Sequence, residues 1–402
     1  MPELLIVFAT FAIALFVSAY SIPTIVAVSK MKHLCDEPNS RKATQTIVPT
    51  LGGLAIFAAF VIAVTLGSYG KPFQELRYII GGLIILFFIG IKDDILVLSA
   101  RKKLMAQIVT ALILVFLADI RFTHVHGFMG LSHIPFSVSV ILTVFVMIVI
   151  TNAFNLIDGI DGLASGICML TAFAFGGWFY LAGHYEYAIM AFALIGALAG
   201  FFIFNVKGQT NKIFMGDTGS LILGLIMSVL VVKFNEFNID QTNVYAIRSA
   251  PAVSFGILIV PLFDTIRVFS IRILHKRSPF SPDKNHVHHR LLHMGYSHLQ
   301  ATSRIVAVNI LFLIMNHFLM GLSVIALMSV NFTAGVIFSL IPIMIMKRRK
   351  IEIAADDPHQ QVLSPGKTIR DINDKITSEV KKKKKKKREK KKKKELAKLL
   401  AS

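Results

Sequence analysis

The chain has 402 residues, 54% of them hydrophobic and only 16% charged, with a formal net charge of +20. Soluble domains carry about 25% charged residues, so a mean hydropathy of +0.66 argues against a soluble globular fold. Two cysteines, Cys35 in a polar loop and Cys168 in an apolar stretch, suggest neither a disulfide framework nor a thiolate metal centre.

Eleven apolar stretches follow one another, at 4–28, 47–66, 77–91, 104–119, 137–154, 163–182, 187–204, 214–232, 249–266, 303–320 and 324–346. A helix of about 20 apolar residues crosses a hydrocarbon core of roughly 30 Å. The third stretch is short, so tilt or extension at its ends is expected. The first has Glu3 where a secretory leader would be basic, and its apolar run is too long for a leader. The expected fold class is an all-α polytopic membrane protein of 10 or 11 transmembrane helices.

Lys and Arg set the orientation. With the N-terminus outside, the inner loops and the 347–350 stretch hold 20 basic residues and the outer loops 4. The positive-inside rule then places the N-terminus outside and the C-terminus in the cytoplasm. Residues 351–402 add 17 Lys and Arg against 8 acids, including the run "KKKKKKKREKKKKK" at 381–394. Such a run cannot bury a core. The expected organisation is a transmembrane domain over 1–350 and a disordered polybasic tail over 351–402. The tail suits anionic membrane lipid, at about 1 kcal/mol per Lys near the surface. Nucleic acid is not expected as a partner, because no aromatic residue interleaves the run to stack bases.

Five polar segments fall on the inner face: "DEPNSRKATQTIVPTLGG" (36–53), "KDDILVLS" (92–99), "TNAFNLIDGIDGLA" (151–164), "NKIFMGDTGSLILG" (211–224) and "RSPFSPDKNHVHHRLLHMG" (277–295). Asp264 and Arg267 precede the last. Each has a bland reading: Asp217 as a helix N-cap, Asp93 and Asp94 as a solvated turn beside Lys92 or Arg101, the histidines as an exposed loop. Together the bland readings fail on cost. A carboxylate at membrane depth is disfavoured by roughly 2.5–3.5 kcal/mol and typically marks a functional site. Asp and Asn oxygens suit Mg²⁺, which binds through one or two carboxylates plus substrate phosphates. Mn²⁺ is the second candidate ion. "GDTGS" at a helix start suits phosphate, and the basic histidine loop supplies donors to a polyanion. Zinc fits poorly, because H-x-H-H is awkward on a helix and Lys284 and Arg290 crowd it with positive charge. No G-x-x-x-x-G-K-[ST] loop is present. The residues therefore point to Mg²⁺-dependent phosphate chemistry at the cytoplasmic membrane surface.

"DDILVLS", "NAFNLIDGIDGLA", "FMGDTGSLILG" and "SPFSPDKNHVHHRLL", in that order, resemble the polyprenyl-phosphate N-acetylhexosamine-1-phosphate transferases. These are the WecA- and TagO-like enzymes of glycosyltransferase family 4, related to the peptidoglycan enzyme MraY. The resemblance spans roughly residues 5 to 346. It implies that undecaprenyl phosphate attacks a UDP-N-acetylhexosamine, with N-acetylglucosamine the first choice of sugar, releasing UMP in the bacterial cytoplasmic membrane. It implies catalytic roles for Asp93, Asp94, Asp158, Asp161 and Asp217. Asp217 and Asn155 look like the metal pair, and Asp93 and Asp94 like the acids that engage the lipid phosphate. Asp158 and Asp161 look like shapers of the nucleotide and metal pocket. Lys42, Asn152, Asn155, Arg267, His286, His288 and His289 are carried over as substrate-binding residues, and a homodimer is left open. The chain departs from the pattern at Thr44, where relatives usually have a histidine, which puts sugar specificity more than reaction type in doubt. The muramoyl-pentapeptide branch is the alternative within the family. A transporter using intramembrane acids is the alternative outside it, but the acids cluster at one face and no matching halves are found.

Overall fold

The computed structural model describes residues 2–32, 34–36, 48–70, 72–96, 98–276 and 286–348. Lys42 and Thr44, the loop over 277–285 and the polybasic tail lie outside the described residues. The elements are α1 (Pro2–Met31), β1 (Cys35–Asp36), β2 (Val48–Pro49), α2 (Gly52–Gly67), α3 (Leu76–Leu96), α4 (Ala100–Leu117), α5 (Phe136–Ile157) and α6 (Leu163–Leu181). They continue with α7 (Tyr185–Lys207), α8 (Gly216–Phe237), α9 (Ala250–Ile257), α10 (Ile259–Leu274), α11 (Val287–His293), α12 (His298–Leu319) and α13 (Val324–Arg348). The two short strands pair antiparallel.

The protein is an all-α polytopic membrane protein. Each of the eleven apolar stretches overlaps a helix or, once, a pair of helices, and the second also takes in β2. Among the described residues, 7 helices are long and apolar enough to span a membrane, or 8 if the pair counts as one span. The remainder fall short for identifiable reasons. Helix α2 has only 16 residues, while α3 carries Lys92, Asp93 and Asp94 near its end and α4 carries Arg101, Lys102 and Lys103 at its start. The extension expected of the third stretch is present, since α3 runs on to Leu96.

The expected span over 249–266 is broken: α9 and α10 meet at an angle of 81°. Pro261 explains the break. It has no N–H to offer the Ile257 carbonyl, and a ring at that position clashes with the preceding turn. The orphaned Ile257 carbonyl instead accepts from the buried Asn309 amide of α12 at 3.2 Å. A second segment, α11, was not expected as a helix.

Helix α8 is the hub. Of its apolar window 83% is buried, against 28% for α1, α12 and α13, which suits a sequence that is apolar all round. Glycines set how closely its neighbours approach. Gly53 of α2 lies against the Gly219 backbone, Gly90 of α3 against Thr218, and Gly224 of α8 against Thr151 of α5. Membrane helices lack a hydrophobic driving force between them, so such small-residue contacts carry the packing. The backbone amides of Gly52 and Gly53 also donate to the Phe214 and Met215 carbonyls, each at 2.9 Å. The ends of α2, α3 and α5 are thereby gathered around the start of α8.

Candidate active site

A cleft of about 340 Å³ opens where those ends meet, lined by Thr50, Asp93, Asp94, Leu98, Lys103, Asn155, Asp158, Gly216, Asp217 and Ser220. Four carboxylates face one space. Gly216 makes the corner possible: its φ is +72°, and a side chain there would strike the Thr50 carbonyl and the Asp94 carboxylate.

Asp94 spans the gap between α3 and α8. It accepts from the Asp217 amide at 2.7 Å, the Thr218 amide at 3.1 Å and the Thr218 hydroxyl at 2.6 Å. The first turn of α8 is thus capped from another helix, and Asp217 is not its own N-cap. The cap position belongs to Met215, which offers no side-chain bond, and the orphan amides of a helix start need an acceptor from somewhere. Freed of that duty, the Asp217 side chain accepts from the Asn155 amide, whose nitrogen also reaches Ser220 Oγ at 2.8 Å. Asn155 sits near the end of α5, which continues to Ile157 before the turn over 158–162.

Asp93 is buried and accepts from the Leu98 amide and from Lys103 Nζ, the latter at 2.6 Å. Lys103 Nζ also lies 3.5 Å from Asp217, so one ammonium bridges two of the acids. Asp158 lies past the end of α5; burial, reinforced by the nearby Asp217, Asp94 and Asp161 carboxylates, pushes its pKa up to about 7. Two like charges about 4 Å apart repel by about 4 kcal/mol at an effective dielectric of about 20. One lysine does not balance four acids, and a second cation suits the cleft.

The donors are hard oxygens from carboxylates, hydroxyls and an amide, which fits Mg²⁺. Asp217 and Asn155 stand side by side in the cleft, joined by the hydrogen bond from the Asn155 amide. Among the described residues no three His, Cys, Asp or Glu side chains converge to cage a metal by themselves. An ion taken through one or two carboxylates plus substrate phosphates needs no such cage.

Other expected residues stand elsewhere. Asn152 turns away toward α4 and donates to Gln107 at 2.9 Å, an amide pair between helices. Asp161 is bound by Lys212 at 2.6 Å and lies 3.2 Å from His298 Nδ1, while its carbonyl accepts from Thr302 at 2.8 Å. Burial raises Asp161, but hydrogen bonds from His298 and Lys212 outweigh it and hold the carboxyl below its usual range. It braces the 158–162 turn against α12 and the segment before α8. His286, His288 and His289 form a second cluster. His286 bonds Asp264 at 2.8 Å and stacks nearly parallel to His288, with ring centres 5.6 Å apart. His288 packs against Gly159 and lies 4.3 Å from the His289 ring. Burial, with His289 beside it, pushes His288 down to about 3, so it is neutral. Arg267 donates to Asp264 at 2.7 Å.

Sequence reasoning gave no role to Lys103, Thr218 or Ser220. Lys103 read as one more inner-face charge; the usable signal is its place one helix start after Asp93, across the Leu98–Ser99 break.

The family model described as glycosyl transferase family 4 matches residues 76–235. A probable undecaprenyl-phosphate N-acetylglucosaminyl 1-phosphate transferase of Bacillus subtilis (strain 168) is 31% identical over 308 residues, covering 75% of this chain and 82% of the relative. The chain belongs to glycosyl transferase family 4. Undecaprenyl-phosphate alpha-N-acetylglucosaminyl 1-phosphate transferases of Yersinia pestis and Salmonella typhi are each 29% identical, covering 67% of this chain and 72% and 71% of their own lengths. The family 4 match runs from the start of α3 almost to the end of α8, so it includes all four acids of the cleft. The Asp264 and histidine cluster lies beyond it.

Proposed function

We propose that this chain transfers N-acetylglucosamine-1-phosphate from a UDP-sugar to undecaprenyl phosphate, releasing UMP and leaving a lipid diphosphate-linked sugar. The carrying observation is the acid-lined cleft at the α3, α5 and α8 ends, together with family membership and the relatives' names. The lipid phosphate oxygen attacks the sugar-bearing β-phosphorus, the bond to the bridging oxygen breaks, and that oxygen leaves with UMP. A lipid phosphate is largely ionised at neutral pH, so no strong base is required. Direct in-line attack is favoured over an aspartyl-phosphate, because Asp94 is committed to the start of α8 and Asp93 to Leu98 and Lys103.

Mg²⁺ held by Asp217 and Asn155 would supply the charge neutralisation that lets two phosphates meet. Lys103 adds a positive charge fixed by two acids. Asp94 holds the start of α8 in place, and Asp161 steadies the turn that carries Asp158. The distribution of Lys and Arg supports a site on the cytoplasmic face of a bacterial inner membrane, with 10 or 11 crossings in all. The catalytic unit is then 1–350, with the tail apart from it.

The test incubates purified protein with undecaprenyl phosphate, Mg²⁺ and a panel of UDP-sugars and follows UMP. Release is expected with UDP-N-acetylglucosamine and is expected to stop when the ion is chelated. Folded protein that releases no UMP with any sugar refutes the reading.

A further inference from the structure

Asp264 sits on α10, in the first part of the helix that follows the break. Its carboxylate is nearly closed to solvent, at 7% exposure, and it is used by two separate parts of the chain. Oδ1 accepts from Arg267 at 2.7 Å and from the Val287 backbone amide at 3.1 Å. Oδ2 faces His286 Nδ1 at 2.8 Å. An ionised carboxylate is acceptor-only, so the shared proton belongs to His286 Nδ1, and Nε2 is the nitrogen left for another partner. The acid therefore does two things at once. It pins the start of the histidine segment to α10, and it chooses the tautomer of a ring that is itself 4% exposed.

That ring is not isolated from the cleft. His286 stacks on His288 with planes 12° apart. His288 fills the space beside Gly159, where any Cβ would overlap its imidazole. Gly159 adjoins Asp158, which lines the cleft. A contiguous path of packed rings thus runs from Asp264 to the turn that closes the acidic site.

We propose that Asp264 is a positioning residue for the transfer reaction, holding His286 as the Nδ1–H tautomer so that Nε2 is presented to the phosphates or sugar of the donor. This rests on the transferase reading above. The logic is that of any acid–imidazole pair: the acid orients the ring and sets which nitrogen carries the proton. Asn at this position keeps the size and leaves one oxygen for Arg267 and Val287. It then turns an N–H toward His286 Nδ1, which must become the acceptor, and the proton moves to Nε2.

The experiment uses the full-length protein in lipid nanodiscs, as wild type, Asp264→Asn and Asp264→Glu. UMP release gives kcat and KM for UDP-N-acetylglucosamine, and nitrogen NMR on [¹⁵N]histidine-labelled protein, assigned against His286→Gln, gives the His286 tautomer. Asp264→Asn is expected to move the proton to Nε2 and to lower kcat by on the order of 10²-fold, with little change in KM. Asp264→Glu is expected to keep the Nδ1 proton and recover most of kcat. Wild-type kcat in Asp264→Asn overturns the proposal. So does an equal loss in both variants with the His286 tautomer unchanged, the signature of a purely structural ion pair. If the wild type itself releases no UMP, the transferase reading falls, while the NMR comparison still decides whether Asp264 sets the tautomer.

Discussion

At the scale of single residues, Asp217 and Asp158 make opposite demands on the cleft. Asp217 is held by Asn155 and its own backbone is held by Asp94, so replacing its carboxylate by an amide leaves those anchors in place. Asp217→Asn is expected to lower kcat/KM by about 10²–10³-fold, with an unchanged melting temperature in detergent; a fold that collapses with the activity would point to a structural role. Among the described residues Asp158 has no anchor of that kind, and burial lifts its pKa from 3.8 to about 7. A carboxyl raised in the folded state favours the protonated form. Its contribution to stability is complete below the unfolded value and is lost as pH climbs through about 7. Without substrate or divalent ion, the melting temperature is expected to fall between about pH 4 and about pH 7, and to fall less in Asp158→Asn. A variant with the wild-type slope would remove Asp158 as the source. Residues of this kind were legible in the sequence as types, since acids are costly near apolar spans. Their duties were not. Asn152 and Asp161 carry the same side chains as cleft residues and turn to other partners: Asn152, a turn earlier on α5, faces Gln107 of α4, and Asp161, in the turn after α5, faces Lys212 and His298.

At the scale of elements, hydropathy located the helices well. The third apolar stretch was expected to extend and does; the fifth, expected over 137–154, runs on to Ile157 before the chain turns. The ninth was expected to be one span and is two helices, a result of Pro261 and the carbonyl it cannot satisfy. What hydropathy does not carry is the closeness of packing. Gly90 lies against the Thr218 backbone, whereas Gly81 on the same helix faces open space. Gly90→Ala is expected to cost about 1–3 kcal/mol by overpacking and to pull Asp94 away from the start of α8, lowering turnover as well. Gly81→Ala is expected to stay within about 0.5 kcal/mol of wild type. Thermal unfolding and UMP release on the pair check this, and equal behaviour would show that the α3–α8 approach is not set by Gly90.

At the scale of the whole molecule, the chain divides by composition into an apolar part and a lysine-rich tail. Ending the chain after Arg348 is expected to leave kcat with detergent-dispersed lipid unchanged. A peptide of residues 351–402 is expected to bind anionic vesicles with about 1 kcal/mol per Lys at the interface, an effect that salt erases. Loss of turnover in micelles would give the tail a part in the reaction. The sequence by itself determined that this is a membrane protein, that its polar motifs gather on one face, and which family's reaction it resembles. Those follow from local properties, namely apolar run length, charge distribution and motif order. Only the tertiary structure decided that Asp94 caps α8, that Lys103 bridges Asp93 and Asp217, and that Asp264 holds His286. Each of those pairings depends on how two helices are rotated and how closely they pack. That is fixed by glycines meeting backbone far away in sequence, and a pattern of hydropathy along one chain does not encode it.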